Sequence, residues 1–292
     1  MKVHITLGLF FISLGLMAQP FNQEAPSQRG GKQLLGKINK EGLSEGDYGE
    51  WFLKNYNGYE PDRSIASQLE GPLSDYTITA FMGTWCGDSK REVPRMYKLL
   101  EMANFPMERL TMVAVNRDAK AYKQSPGGEH EGLNIHRVPT FIVYKDGKEV
   151  NRIVESPVNS LENDLLSIIN DNYTSNYHGV TMVHQMMSDL GLDKFVKKRK
   201  KLTTKLRDTI PNWRELNTYS YTLFHHGKEA EAIEVARLNI LLFPEESGTY
   251  VRLANELRQT NQLEEAKIAY AEALAIDPEN KTAKSALEEL NQ

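Results

Sequence analysis

A stretch near the C-terminal end of the chain repeats itself at a fixed interval. Ala232 matches Ala266 and Pro244 matches Pro278, each pair 34 positions apart. A repeat of this length holds two antiparallel helices, which bury their apolar faces only by stacking on neighbouring units. The interval therefore predicts an all-α array of helical hairpins over residues 213–292.

The repeat resembles the tetratricopeptide repeat, and its second copy matches most closely. The packing positions of that copy are Tyr250, Leu253, Ala254, Leu257, Ala266, Tyr270, Ala273 and Pro278. Two copies are fewer than the three such an array usually needs, so we expect a helical connector, residues 176–212, to complete its core. Residues 281–290 are predicted to form a capping helix. The resemblance implies either a surface for a protein or peptide partner, or a structural or dimerisation element.

The N-terminal end has the pattern of a secretory signal peptide over residues 1–18. Lys2 precedes a short apolar run, and Ala18 supplies the small residue of a cleavage site. The run is short for a membrane span, although a retained anchor is the alternative. We expect an exported, periplasmic protein with no membrane contact after cleavage. A flexible leader is predicted for residues 19–43, which are rich in Gln, Gly, Ser and Lys.

Composition narrows the classes of function. The chain has 292 residues, a net charge of −4 and one cysteine, Cys86. The small charge argues against a nucleic-acid partner, and a single cysteine cannot form a disulfide within the chain. No cofactor and no metal is expected. The adjacent His225 and His226 lack a third ligand and are interpreted as an exposed loop.

Between these ends, the pattern alternates strands and helices. Residues 76–82 and 110–115 are β-rich apolar runs, and a helix is predicted between them. Lys145-Asp146-Gly147-Lys148 predicts a hairpin turn between two further strands, before a last helix from about residue 160. This order predicts an α/β domain over residues 44–175, with a mixed sheet covered by helices on both faces.

Cys86 lies where the first of these strands gives way to a helix, in the run Trp85-Cys86-Gly87-Asp88-Ser89. The dipole of that helix stabilises a thiolate at its N-terminus, as a nucleophile requires. Trp85 and Gly87 allow a partner chain to approach, and Ser89 is able to hydrogen-bond the sulfur or to cap the helix. A buried, unreactive cysteine is the alternative.

The segment Phe81 to Pro94 resembles the active-site segment of thioredoxin-like proteins, and Val138-Pro139-Thr140 resembles the cis-proline loop that faces the cysteine in that family. The match covers residues 44–172 and is closest to the exported branch that reduces periplasmic proteins. The resemblance implies a thioredoxin-like mixed sheet covered by helices, a cis Pro139 beside Val138, and protein thiols or disulfides as partners.

Two positions depart from the family. Thioredoxins carry a second cysteine where this chain has Ser89, and that cysteine resolves the mixed disulfide formed by the first. The family often buries an acid where this chain has Ala80. Both departures argue against an ordinary disulfide reductase.

Several charged residues are candidates for tuning Cys86. Asp88 suits the start of a helix and is interpreted mainly as a capping residue, although its charge would oppose a thiolate. Lys90 and Arg91 would favour a thiolate. His136 and Arg137 come shortly before Pro139, so they either lie near Cys86 or are solvated loop residues.

Two hypotheses follow. In the first, Cys86 performs thiol–disulfide exchange as a monothiol oxidoreductase or isomerase, and an external thiol resolves its mixed disulfides; oxidation to a sulfenic acid is a related possibility. In the second, the thioredoxin fold and the array form a non-catalytic scaffold that binds proteins or peptides. Replacing Cys86 distinguishes the two.

Overall fold

The computed structural model describes residues 21–291, and the predicted signal segment, residues 1–18, lies outside them. Within the described part of the chain, the strands form a six-stranded sheet in the order β1-β2-β4-β3-β5-β6. The strands are β1 Gln23–Pro26, β2 Lys32–Ile38, β3 Tyr76–Met82, β4 Leu110–Ala114, β5 Thr140–Lys145 and β6 Lys148–Val154. β3 and β4 are parallel and the other neighbours are antiparallel, so the sheet is mixed.

The flexible leader predicted before residue 44 is wrong for the described residues 21–43. β1 and β2 form a hairpin, and β2 pairs with β4 at the edge of the sheet. Leu34 and Ile38 are buried against the core, whereas Lys37 is exposed. This alternation of buried and exposed residues is short and follows a Gly-rich turn. Polar residues surround it in the sequence, so its few apolar positions do not form a recognisable strand pattern. The α/β domain therefore begins before residue 44.

Helices cover one face of the sheet. They are α1 Lys40–Ser44, α2 Gly46–Asn57, α3 Arg63–Leu69, α4 Gly87–Met102 and α5 Leu161–Ile169. Their buried side chains form one cluster with Ile78, Ala80 and Met82 of β3. Phe81 points to the opposite face, where it packs with residues of the connection between β4 and β5, residues 115–139. The prediction of helices of this domain on both faces is thus wrong, because that connection covers the second face.

The C-terminal half is helical. Its elements are α6 His178–Leu190, α7 Leu192–Leu206, α8 Trp213–His225, α9 Glu229–Leu242, α10 Ser247–Gln259, α11 Leu263–Ile276 and α12 Lys281–Leu290. α8 with α9 and α10 with α11 form the two predicted hairpins, and α12 packs on α11. The connector helices α6 and α7 share one hydrophobic cluster with α8 and α9. Among residues 21–291, no helix is both long and apolar enough to cross a bilayer.

The array docks on the α/β domain through the C-terminal end of α8. The Tyr221 ring lies 5.1 Å from that of Tyr122 in the 115–139 connection. His226 Nε2 donates a hydrogen bond to the Tyr122 carbonyl oxygen over 2.9 Å, and Gln124 Nε2 donates to the His225 carbonyl oxygen over 2.7 Å. The connection is therefore held between the sheet and the array.

Histidines are concentrated at this contact. The rings of His130 and His226 lie 5.3 Å apart, and His225 packs against both Tyr221 and Tyr122. Burial lowers the pKa of His130 and of His225, and it lowers the pKa of His226 to about 4. The interface thus favours neutral imidazoles.

We predict that Ile38→Ala lowers the free energy of unfolding by about 2–4 kcal/mol, because it removes buried methyl and methylene groups and leaves a cavity. Urea unfolding followed by tryptophan fluorescence measures the change. Lys37→Ala, at the exposed neighbouring position of the same strand, is the control and should change stability by less than about 0.5 kcal/mol. Equal small effects of the two substitutions would contradict a structural role for the β1–β2 hairpin.

We predict that acid weakens this contact through His226. Its folded-state pKa, about 4, lies below the unfolded value of about 6.5, so the unfolded chain binds more protons in this range. The contribution to stability is present above pH 6.5 and is lost as the pH falls from 6.5 to 4. Urea midpoints measured across this range should fall less in His226→Gln than in the wild type. The exposed His178→Gln is the control, and identical pH profiles for all three proteins would contradict the prediction.

Candidate active site

Cys86 lies between the end of β3 and the start of α4. It is the N-cap residue of α4, with extended backbone (φ −91°, ψ 128°), and its side chain makes no capping hydrogen bond. The free thiol is half-buried and donates a hydrogen bond to the Val138 carbonyl oxygen over 3.2 Å. The first N–H groups of a helix have no intrahelical acceptor, so they favour negative charge beside them. The position therefore suits a nucleophilic thiolate.

Trp85 packs beside the thiol. Its indole Nε1 donates to the Val115 carbonyl oxygen over 3.0 Å, and its ring lies 6.1 Å from that of Tyr122. A Cβ added at Gly83 would lie 2.5 Å from the Trp85 ring. Because glycine has no Cβ, it lets the indole approach the backbone this closely. Gly83 thus determines where the aromatic side chain beside Cys86 lies.

The segment opposite the thiol is Val138–Pro139. The peptide bond between these two residues is cis. Val138 is buried, and it packs in one apolar cluster with Trp85 and Cys86. Gly87, on the other side of the thiol, is exposed, and open space surrounds the position where a Cβ would be. A partner chain therefore has access to the sulfur from the Gly87 side.

The Ser89 hydroxyl and the Cys86 thiol have different hydrogen-bond partners. The Ser89 side chain is fully buried, and its Oγ accepts a hydrogen bond from the Gly83 N–H over 3.2 Å. The sequence predicts that Ser89 hydrogen-bonds the sulfur or caps the helix. Both predictions are wrong, because the hydroxyl accepts from the Gly83 N–H instead. The hydroxyl instead closes the loop from Gly83 to Ser89 that carries Cys86.

The charged residues of the first turns of α4 pair with one another. Arg91 donates to the Asp88 carboxylate over 2.8 Å and to the Glu92 carboxylate over 2.5 Å. Lys90 Nζ lies 5.8 Å from the centre of the Trp51 ring. Asp88 is the acidic residue in the first turn of α4, where its carboxylate suits the helix dipole as the sequence predicts, although the N-cap residue Cys86 makes no side-chain capping hydrogen bond. Lys90 and Arg91 therefore have partners other than the thiolate that they are predicted to favour.

The core beneath the site carries no acid at position 80. Ala80 is fully buried in β3, between Met112 of β4 and Phe141 of β5. The small apolar side chain joins the cluster under α4. Proton transfer through a buried carboxylic acid at this position is therefore impossible.

Lys123 is the site residue that the sequence does not reveal. Its side chain is 3% exposed, and its Nζ donates to the His136 carbonyl oxygen and lies 4.7 Å from the centre of the Tyr122 ring. Burial first, and then the charge of Arg137, lower the pKa of the Lys123 ammonium, the charges of Cys86 and Glu155 oppose them, and the resulting pKa is about 7. One signal was available: Lys123 directly follows an aromatic residue in a loop between two buried strands.

His136 and Arg137 are both part of the packed structure, so the solvated-loop alternative is wrong. His136 is buried between the rings of Tyr177 and Tyr219, and burial holds its pKa well below its usual range. Arg137 forms an ion pair with Glu155 at 2.8 Å. It also donates a hydrogen bond over 3.1 Å to Thr218 of α8. The residues before Pro139 therefore link the thiol site to the array.

His225 and His226 do not form the exposed loop that the sequence predicts. Both are half-buried against the 115–139 connection, because the array docks there. Among residues 21–291, no group of three or more His, Cys, Asp or Glu side chains is arranged to hold a metal ion.

Comparison with known proteins identifies both parts of the chain. A tetratricopeptide repeat family model matches residues 248–280. Thioredoxin Asp f 28 of Aspergillus fumigatus is 32% identical over 92 residues, which cover 31% of this chain and 76% of that protein. Mitochondrial thioredoxin-2 of Schizosaccharomyces pombe is 31% identical over 85 residues, which cover 29% of this chain and 56% of that protein.

A solved structure, the first TPR of Spaghetti (RPAP3) bound to HSP90 peptide SRMEEVD, covers 40% of this chain and 94% of its own, at 21% identity and a TM-score of 0.28. A superposition this weak carries no argument. The sequence matches, the mixed sheet and the helical hairpins agree with the fold class that the sequence predicts. The chain therefore belongs to the thioredoxin family and carries a tetratricopeptide repeat at its C-terminal end.

Proposed function

We propose that this protein is an exported thiol–disulfide exchange protein that uses Cys86 as a single nucleophile. The observation that carries the proposal is the position of the thiol. Cys86 is the N-cap residue of α4, packs against Trp85 and Val138, and is open on the Gly87 side. A half-buried sulfur at a helix N-terminus has both the electrostatic support and the access that exchange requires. The similarity to thioredoxins supports the same chemistry.

The exchange has two steps. The Cys86 thiolate attacks one sulfur of a substrate disulfide, a new S–S bond forms to Cys86, and the second substrate sulfur leaves as a thiolate that takes up a proton. An external thiol, as its thiolate, then attacks the substrate sulfur of this mixed disulfide and releases Cys86 as a thiolate. The external thiol is needed because Ser89, at the position of the second cysteine, is a buried hydroxyl bonded to the Gly83 backbone.

We propose that the helical array binds a protein or peptide partner of this reaction. The tetratricopeptide match supports a protein-binding role for α10 and α11, which lie within or next to residues 248–280. α8 of the same array contacts Tyr122, which in turn packs on Trp85 beside the thiol. A partner that extends from the array along the end of α8 would thus approach Cys86.

Export to the periplasm is part of the proposal. It is supported by the amino-acid pattern of residues 1–18, with a lysine, an apolar run and a small residue at the expected cleavage position. A single cysteine is also compatible with an oxidising compartment, since it cannot be lost to a disulfide within the chain.

We predict that wild-type protein, incubated with the neutral bis(2-hydroxyethyl) disulfide, gains the mass of one mixed-disulfide adduct, and that reduced glutathione removes it. Mass spectrometry of the intact protein measures both steps. Cys86→Ser should form no adduct and should keep the thermal unfolding midpoint within about 3 °C, because the change is nearly isosteric at a half-buried position. A folded wild type that forms no adduct would contradict exchange and favour the non-catalytic binding scaffold.

We predict that Ser89→Cys converts the site to a dithiol that completes its own exchange. The two sulfurs would lie three positions apart at the start of α4, where the second thiol attacks the mixed disulfide and releases the substrate. Turbidity of insulin reduced in the presence of dithiothreitol should then rise at least about tenfold faster than with the wild type. Ser167→Cys, in α5 rather than in the α4 segment that carries Cys86, is the control for an added thiol. No gain in rate would identify the loss of the acid at Ala80 as the next change to test.

A further inference from the structure

Lys123 is buried, and no residue between 21 and 291 forms an ion pair with its amine. Its Nζ donates to the His136 carbonyl oxygen and lies against the Tyr122 ring, and neither of these groups carries a charge. Burying an ammonium without an anionic partner costs several kcal/mol in general, so such a lysine persists only where the surrounding structure holds it. The activity described above gives this side chain no role.

The backbone at Lys123 is held in an unfavourable conformation. Its φ is +57°, in the left-handed region that residues with a Cβ seldom adopt. The Lys123 N–H donates to the Asn116 carbonyl oxygen over 2.8 Å, which closes the loop. Both neighbours are held by α8: the Tyr122 carbonyl accepts from His226, and Gln124 donates to the His225 carbonyl. The array therefore fixes the position of this lysine.

The segment before Pro139 connects Lys123 to the thiol. The Lys123 amine donates to the carbonyl oxygen of His136, and the Cys86 thiol donates to the carbonyl oxygen of Val138. A chain advances at most about 3.5 Å per residue, so these two acceptors lie within about 7 Å of each other. The Tyr122 ring, which the amine contacts, also packs against Trp85, the residue before Cys86. Two independent contacts, one through the segment before Pro139 and one through the Tyr122–Trp85 pair, thus connect the amine to the surroundings of the thiol.

The electrostatics of the buried amine agree with this geometry. Its pKa is lowered to about 7, first by burial and then by Arg137, whereas the charges of Cys86 and Glu155 favour the ammonium. The lysine therefore changes its charge near neutral pH, and a thiolate at Cys86 favours the charged form. The titratable and charged groups facing it are Cys86 at the start of α4, His136 and Arg137 before Pro139, Glu155 after β6, and His226 at the end of α8.

We propose that the Lys123 ammonium is the charge partner of the Cys86 thiolate, and that the helical array, through α8, holds this lysine in place. Lys123 is a positioning residue, since it acts on the ionisation of Cys86 and not on the substrate. The inference rests on the proposed exchange function and adds a second role for the array, which becomes part of the redox site as well as a surface for a partner.

The rate of Cys86 alkylation tests the proposal. Iodoacetamide is neutral and reacts with the thiolate, so its rate reports ionisation without electrostatic attraction of the reagent. At pH 7, we expect Lys123→Met to slow alkylation about tenfold. One unit charge across about 10 Å at an effective dielectric constant of about 20 corresponds to about fifteenfold, and an amine with a pKa of about 7 carries that charge in about half of the molecules. Lys123→Arg keeps the positive charge and should stay within about threefold of the wild-type rate.

The exposed Lys120→Met, three positions away in the same connection, is the matched control and should alkylate at the wild-type rate. Circular dichroism establishes whether each variant is folded. A folded Lys123→Met that alkylates at the wild-type rate would overturn the proposal.

A second measurement follows the titration of Lys123 instead of Cys86, and it is made on the wild-type protein, so it does not depend on whether a variant folds. Lysine labelled with ¹³C at Cε lets the titration of Lys123 be followed by nuclear magnetic resonance in the wild-type chain, with Lys123→Arg used only to assign the signal. Coupling between two charges acts equally on both, so alkylating Cys86 should lower the titration midpoint of Lys123. An unchanged midpoint would overturn the pairing.

The two proposals fail separately. If bis(2-hydroxyethyl) disulfide forms no adduct with the wild type while Lys123→Met still slows alkylation, the charge pairing holds and the exchange function is wrong. If the adduct forms and Lys123→Met is alkylated at the wild-type rate, the exchange function holds and the charge pairing is wrong.

Discussion

The contact between α8 and the 115–139 connection is the interaction on which the arrangement of the site depends. Tyr221 packs on Tyr122, and Tyr122 packs on Trp85 beside the thiol. This connection covers the second face of the sheet, where helices would otherwise be expected. The end of α8 packs on the outer side of this connection. The shape of the surface around Cys86 is therefore set by residues more than a hundred positions later in the chain.

The local parts of the fold and site could be predicted because their signals lie within short windows. The 34-residue interval is sufficient to predict the helical hairpins of the array. The runs Trp85-Cys86-Gly87 and Val138-Pro139 are sufficient to predict the thioredoxin-like core. Both signals arise from packing within one element or between adjacent ones. The same reasoning misses β1 and β2, whose buried positions Leu34 and Ile38 are too few to stand out among polar neighbours.

Partners across the molecule could not be predicted. Ser89, Asp88 and Arg91 have the expected positions on α4, but each has a hydrogen-bond partner that its position alone does not indicate. Lys123 and His226 are polar residues in polar stretches, which in isolation indicate a solvated loop. Lys123 is buried and His226 is half-buried at the place where the array docks, a contact between regions far apart in the sequence. A periodicity carries no information about such contacts.

The same contact limits how the two halves can be exchanged with other proteins. Tetratricopeptide arrays are commonly regarded as attachable modules, because each unit contacts only its neighbours. Here the end of α8 also completes the packing around Tyr122 and His130. If this array were fused to another thioredoxin, α8 would lack the 115–139 connection on which it packs. The thioredoxin domain of this chain without the array would expose the aromatic residues of that connection to water. The end of α8 and the residues around Tyr122 are in direct contact, so the effects of substitutions on the two sides of this contact are coupled.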